Sequence, residues 1–134
     1  MKIIDASVAL KWFVFEEHGQ KVADKVLDDI QQQPNAFAVP DLFFAEMLHI
    51  LCRVMNDKQK VGESLTILES LGIERIGLGH ELLETAGRIA LTYKLSGYDA
   101  IYVATAQLVD GKWFTFDKEA HRKIQKLNLS QLLI

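Results

Sequence analysis

Eighteen of the chain's 134 residues are acidic, and four of them stand where a charge is costly. Asp5 ends the apolar pair Ile3-Ile4 and precedes Ala6. Glu46 is the one charged residue between Leu42 and Cys52. Asp99 heads the stretch Ala100 to Val109, which holds no other charge, and Asp117 closes Trp113-Phe114-Thr115-Phe116. An ionised carboxylate beside such runs costs several kcal/mol unless it is paired or bound to a metal. Four converging carboxylates would repel one another and need a cation to neutralise them. The chain offers no cysteine pair and no metal-spaced histidines, so all-oxygen ligation selects Mg²⁺ or Mn²⁺ over zinc. Each acid taken singly also has a structural explanation. Asp5 and Asp117 can cap helices, worth about 1 kcal/mol each; Asp99 suits the dipole of a first helical turn; Glu46 can reach solvent between apolar neighbours.

The elements that must position these side chains follow from hydrophobic period and turn chemistry. Lys2-Ile3-Ile4-Asp5 reads as a short buried strand, followed by a helix through Val8 and Phe13. Val22, Ala23, Val26, Leu27 and Ile30 recur at helical spacing over Gln20 to Gln32, and Pro34-Asn35 breaks that helix. Ala36 to Val39 forms a second strand; Pro40-Asp41 opens a helix to about Met55, and another spans Lys58 to Leu71 before Gly72. Ile73 to Ile76 is a third strand and His80 to Tyr93 a helix. After Ser96-Gly97 a further helix covers Tyr98 to Val109. Trp113 to Phe116 is a strand, Lys118 to Leu127 a helix, and Leu129 to Ile134 ends the chain as a strand. Strands alternating with helices give an α/β fold with a central, mostly parallel sheet covered on both faces. In such a sheet ligands collect beyond the carboxyl ends of the strands. Asp5 and Asp117 stand at two such ends, and Glu46 lies in the early turns of the helix after the second strand.

Composition bounds the rest. The length fits one domain, residues 1–134, and the apolar content of 49% with 25% charged residues is ordinary for a globular protein. The single Cys52 excludes an internal disulfide framework; we expect it to be a packing residue inside its helix. No leader segment and no membrane-length apolar run is evident, so the expected location is cytoplasmic. A net charge of −3 argues against a conventional basic nucleic-acid binder. Self-association is expected through apolar helical surface around Val26 to Ile30 and Leu65 to Leu71.

Other motifs are weaker. Gly77-Leu78-Gly79-His80 hints at a dinucleotide loop, but Leu82 stands in place of the third glycine. Glu46-Met47-Leu48-His49 has the Glu-x-x-His form of di-iron bundles without the second copy they need. Asp5 after a first strand suits aspartyl-nucleophile phosphatases, yet Ser7 stands where those need an acid. No Gly-x-Ser-x-Gly elbow is present. Trp12, Phe13 and Phe15 can stack on bases, line a partner groove or pack the core. Lys118, Arg122, Lys123 and Lys126 recur along the helix after Asp117, either as a solvated face or as phosphate contacts.

Taken in order, Ile4-Asp5-Ala6-Ser7-Val8 with Lys11-Trp12, Pro40 through Glu46, Leu95-Ser96-Gly97-Tyr98-Asp99-Ala100-Ile101-Tyr102 and Thr115-Phe116-Asp117 resemble the PIN-domain ribonucleases, most closely the VapC-type toxins of prokaryotic toxin–antitoxin pairs. The resemblance implies a three-layer α/β/α fold and a Mg²⁺- or Mn²⁺-dependent endoribonuclease using one or two ions. It further implies a homodimer and a small antitoxin partner that blocks the site. On the family's pattern Asp5, Glu46, Asp99 and Asp117 are the catalytic and metal-binding acids, and Ser7 and Thr115 are supporting hydroxyls. Lys11, Lys118 and Arg122 are candidates for RNA contact. His49 departs from the pattern, which leads one to expect a small amide there. Within the resemblance, Asp5 and Asp99 would hold an ion that acidifies water and polarises the scissile phosphate. Glu46 and Asp117 would complete a second ion site or hydrogen-bond the water, and hydrolysis would leave a 5′-phosphate and a 3′-hydroxyl. Two alternatives remain: an RNA-processing nuclease without an antitoxin, and a catalytically silent RNA- or protein-binding module on the same fold.

Overall fold

The computed structural model describes residues 1–134. Five strands form one sheet in the order β3-β2-β1-β4-β5, and every neighbouring pair is parallel. The strands are β1 (Lys2–Ile4), β2 (Phe37–Pro40), β3 (Glu74–Ile76), β4 (Lys112–Thr115) and β5 (Ser130–Leu132). Between them run α1 (Ala6–Ala9), α2 (Gln20–Gln32), α3 (Leu42–Met55), α4 (Lys58–Ser70), α5 (His80–Tyr93), α6 (Gly97–Leu108) and α7 (Lys118–Ile124). Helices flank the sheet, giving the expected α/β architecture.

Apolar residues facing both ways explain why the centre of the sheet is buried. Ile3 and Ile4 of β1 and all four residues of β2 lie in the core, the continuous pattern of a parallel strand covered on two sides. Register follows, with Ile3 opposite Ala38 on one side and Trp113 on the other. The edge strand β3 is exposed at Glu74 and Arg75, charges that suit an unpaired edge. Chain order reverses at β1, whose neighbours are β2 and β4, and the β1/β4 boundary is therefore the switch point of the sheet.

Helix α6 is fixed at its far end by the turn into β4. Gly111 N–H donates to the Ala106 carbonyl at 2.8 Å and Lys112 N–H to the Met1 carbonyl at 3.1 Å. A Cβ at Gly111 would lie 2.3 Å from the Met1 carbonyl oxygen, so only glycine allows this approach. The C-terminus of α6 thus sits at the amino edge of the sheet. Its 12 residues span roughly 18 Å, which carries its N-terminus, with Asp99, toward the carboxyl edge.

Several expectations need correction. Cys52 is exposed rather than packed inside, because the inward stripe of α3 is Phe43, Met47 and Leu51 and Cys52 is rotated one position off it. The regions expected to drive self-association supply the core instead: Ile30 and Leu68 are buried and Val26 and Leu65 half-buried, leaving Ile67 exposed. The helix after Asp5 tightens to 3₁₀ geometry at Leu10–Trp12, and a 3₁₀ turn at Pro34–Ala36 delays β2 to Phe37. Helix α7 likewise ends as a 3₁₀ turn over Gln125–Leu127. No helix is long and apolar enough to cross a membrane.

Candidate active site

Each of the four acids is delivered by a different connection. Asp5 is the residue after β1 and caps α1. Its Oδ1 accepts the Ser7 N–H at 3.0 Å and the Ser7 hydroxyl, while Oδ2 accepts the indole N–H of Trp113 at 2.9 Å. Only 8% of Asp5 is exposed. Burial pushes its pKa above the ordinary carboxylate value, and the hydrogen bonds of Ser7, Thr115 and Trp113 oppose that shift.

Asp117 follows β4 at the neighbouring strand end and caps α7, its Oδ1 accepting the Ala120 N–H at 3.0 Å. Its own N–H donates to the hydroxyl oxygen of Thr115 at 3.1 Å. Thr115 is fully buried and lies beside Asp5, so it ties the two strand ends together. The capping explanation is therefore correct for Asp5 and Asp117, but it does not exhaust them. In Asp117 the cap engages Oδ1 and leaves Oδ2 free for other work.

Glu46 projects from the early turns of α3, and its Oε1 accepts the Tyr102 hydroxyl at 2.6 Å. Burial raises its pKa first; the Tyr102 hydrogen bond lowers it, and the charges of Asp5 and Asp99 raise it again. Asp99 occupies the first turn of α6, which Ser96 caps by accepting the Asp99 N–H at 3.0 Å. Burial raises the Asp99 pKa, as do the charges of Asp117 and Asp5, against Ser96 and Lys123. The Tyr102 phenol is driven far above its ordinary pKa by burial and by the Glu46 charge, so it stays a hydrogen-bond donor. Charge thus links the acids in part: Glu46 responds to Asp5 and Asp99, and Asp99 responds to Asp117 and Asp5.

None of the chain's ion pairs includes Asp5, Glu46, Asp99 or Asp117. The donor set is oxygen-only, acidic and free of direct ion pairs, which suits a hard dication. No three His, Cys, Asp or Glu side chains stand close enough to enclose an ion by themselves. That spacing is compatible with Mg²⁺, which is commonly held by one or two carboxylates and completes its shell with water and substrate oxygens.

The basic residues divide. Lys11 is 7% exposed, and its ammonium is engaged by Glu16 at 2.8 Å, by the His18 carbonyl at 3.0 Å and by the Phe116 ring at 4.9 Å. Its expected contact with RNA is replaced by an internal role, because three partners surround the charge. Lys118 is exposed beside Asp117; Arg122 is exposed and pairs with Glu119 at 2.7 Å. Lys123 donates to the Lys94 carbonyl at 2.9 Å.

Trp12 donates to the Ala23 carbonyl at 2.8 Å and so anchors α2. Phe15 is exposed. His49 is exposed and lines a cleft of about 450 Å³ with Leu42, Ala45, Glu46, Ile50 and Tyr98. The Gly77–His80 turn lines a separate cavity of about 510 Å³ that none of the four acids touches. Tyr102 and Trp113 contact two of the acids although sequence pattern alone assigns them no role at the site. The available signal was a polar-tipped aromatic inside each apolar run, since such a tip seeks a partner when buried.

The model of the family described as PIN domain matches residues 2–127. Among solved structures, a toxin–antitoxin complex from Klebsiella pneumoniae contains a chain 17% identical to this one. The match covers 100% of this chain and 98% of that chain, with a TM-score of 0.73. The PAE2754 protein of Pyrobaculum aerophilum is 20% identical over 91% of this chain and 83% of its own, with a TM-score of 0.68. The Mycobacterium tuberculosis toxin VapC20, described as cleaving the sarcin–ricin loop, is 14% identical over 91% and 94%, with a TM-score of 0.75. At these identities the likeness is one of fold. No curated protein matches.

Proposed function

Since this chain belongs to the PIN domain family, we propose that it is a divalent-metal-dependent endoribonuclease and the toxin of a toxin–antitoxin pair. The observation that carries the catalytic reading is the gathering of Asp5, Glu46, Asp99 and Asp117 from four connections, with no paired cation and with raised carboxyl pKa values for Asp5, Glu46 and Asp99. A silent binding module would have no use for such mutual repulsion. The toxin reading and the antitoxin partner draw on the fold shared with the Klebsiella complex and with VapC20.

One or two of the four carboxylates at a time would hold Mg²⁺ or Mn²⁺ together with water and substrate oxygens, and a bound ion would lower the pKa of water and offset charge on the scissile phosphate. Ser7 and Trp113 keep both oxygens of Asp5 in a fixed plane. Tyr102 fixes Oε1 of Glu46 and leaves Oε2 available, and a carboxylate with a raised pKa is suited to take a proton from the attacking water. Thr115 holds Asp117 beside Asp5. Lys118 and Arg122, exposed on α7 next to Asp117, are the proposed contacts to RNA phosphates. The exposed Cys52 suits a reducing compartment, in keeping with a cytoplasmic site of action.

The test is cleavage of single-stranded RNA by purified protein in EDTA, Mg²⁺ and Mn²⁺. Activity is expected only with a divalent ion. Asp5→Asn and Asp99→Asn should each lower it at least about 100-fold, since each removes a charge from the ion site. Undiminished cleavage in EDTA would overturn the mechanism.

A further inference from the structure

Two aromatic side chains outside the carboxylate set connect two of its members. Tyr102 comes from α6 and Trp113 from β4, and each is 1% exposed. Their rings stack with centroids 5.9 Å apart and planes 18° apart. From this stack each ring sends out one hydrogen bond, Trp113 Nε1–H to Asp5 Oδ2 at 2.9 Å and Tyr102 O–H to Glu46 Oε1 at 2.6 Å. A single packed block thereby touches carboxylates from two different connections, the end of β1 and the early turns of α3.

We propose that the Tyr102–Trp113 stack is a positioning device that fixes the relative orientation of Asp5 and Glu46 for ion binding. This rests on the metal-dependent reading above. Packing alone does not require the arrangement at Tyr102, because phenylalanine would fill nearly the same space without a polar tip. Polar satisfaction alone does not require it either. The chain's other tryptophan, Trp12, satisfies its indole on a backbone carbonyl, that of Ala23. In the stack, by contrast, both polar tips end on candidate ion ligands. The geometry also suits the task. Aromatic side chains have only two rotatable angles, and these two are locked by burial and by each other. They can therefore hold a carboxylate within the roughly 0.5 Å that a metal or catalytic site demands. Each donor occupies one carboxylate oxygen; Glu46 keeps Oε2 open, and Asp5 has Oδ1 shared with Ser7. Tyr102 and Trp113 are thus positioning residues, acting through the acids rather than on substrate.

The experiment is calorimetric titration of Mn²⁺ into the full chain, stripped with EDTA, for wild type, Tyr102→Phe and Trp113→Phe, with thermal unfolding in parallel. Tyr102→Phe loses only the donor that reaches the carboxylate, whereas Trp113→Phe loses its donor together with part of the buried ring system. Affinity for Mn²⁺ should fall about 10- to 100-fold in each, the range seen when residues supporting a metal ligand are removed. The indole N–H resonance of Trp113, one of two in the chain, should shift on adding Mg²⁺ while that of Trp12 stays in place. A structural role alone would lower the melting temperature and leave affinity unchanged. Tyr102→Phe removes a single oxygen atom and preserves the stack, so it decides the matter even where Trp113→Phe does not fold. Wild type that binds Mn²⁺, with Tyr102→Phe within about twofold of it, would overturn this proposal alone. Wild type that binds no Mn²⁺ would overturn the metal-dependent reading and this proposal together.

Discussion

Asp99 is an acid whose ionisation the fold opposes, since burial and the charges of Asp117 and Asp5 all raise its pKa. The sign of the consequence is fixed by linkage. A carboxyl with a folded-state pKa above its unfolded value of about 3.9 contributes stability that is fully present below that unfolded value. The contribution is lost as pH rises through the raised folded value, so at neutral pH the ionised group weakens the metal-free fold. Asp99→Asn stays neutral throughout. In EDTA the variant should therefore melt higher than wild type at about pH 7.5, and the gap should narrow toward about pH 4. Mn²⁺ at 100 times its dissociation constant should add about 2.7 kcal/mol to wild type and less to the variant. Thermal unfolding with and without Mn²⁺ measures both, and equal metal-induced shifts would exclude Asp99 from the ion site.

At the scale of elements, the termini of short helices do double duty. The cap of α7 is Asp117, and the same side chain raises the pKa of Asp99 by its charge. Serine also caps helices well and carries no charge, so substitution separates the two roles. Asp117→Ala should lose about 1 kcal/mol of stability together with nuclease activity. Asp117→Ser should keep most of the stability and still lose activity. Parallel denaturant melts and RNA cleavage assays read the difference; an active Asp117→Ser protein would reduce Asp117 to a cap. The same logic explains why the end of β4 tolerates a buried hydroxyl at Thr115. Its oxygen accepts the Asp117 N–H and so sets where α7 begins.

For the whole molecule, much of the apolar surface left uncovered lies on the outer faces of helices, with Phe15 and Ile134 exposed outside them. Leu91 of α5 is 86% exposed, and Leu83 on the same helix, Leu108 on α6 and Leu48 and Val54 on α3 are exposed as well. Single exposed leucines are ordinary, but several on adjoining helices favour a covered state. The homodimer that the family resemblance implies gives a direct expectation: light scattering at micromolar concentration should report twice the mass of one chain. Leu91→Glu, which places a charge on the most exposed of these leucines, should shift the protein toward monomer if α5 is the covered face. A wild-type monomer would refute the dimer and leave the nuclease reading intact.

Local chemistry along the chain determined the class of fold and singled out four acids as candidates. Alternating strand and helix periods with Gly and Pro punctuation imply a parallel sheet, and an acid that interrupts an apolar run is visible in one dimension. The ends of elements also followed to within a few residues, because caps and breakers act locally. Burial along α3 was less legible, since an apolar helix does not reveal which stripe faces inward; Cys52 and Leu48 proved exposed while Met47 did not. Lys11 shows the converse, a charge drawn inside by Glu16, the His18 carbonyl and the Phe116 ring. Asp99 required the third dimension as well. Its distance from a strand end in sequence gave no placement, and the Gly111–Met1 approach that sets the ends of α6 joins segments far apart in the sequence. The Trp113–Asp5 and Tyr102–Glu46 hydrogen bonds, 108 and 56 residues apart in sequence, exist only once the sheet has ordered its strands. Sequence pattern records what each residue wants locally, whereas contacts between distant segments are chosen by packing, and packing decided how these acids are held.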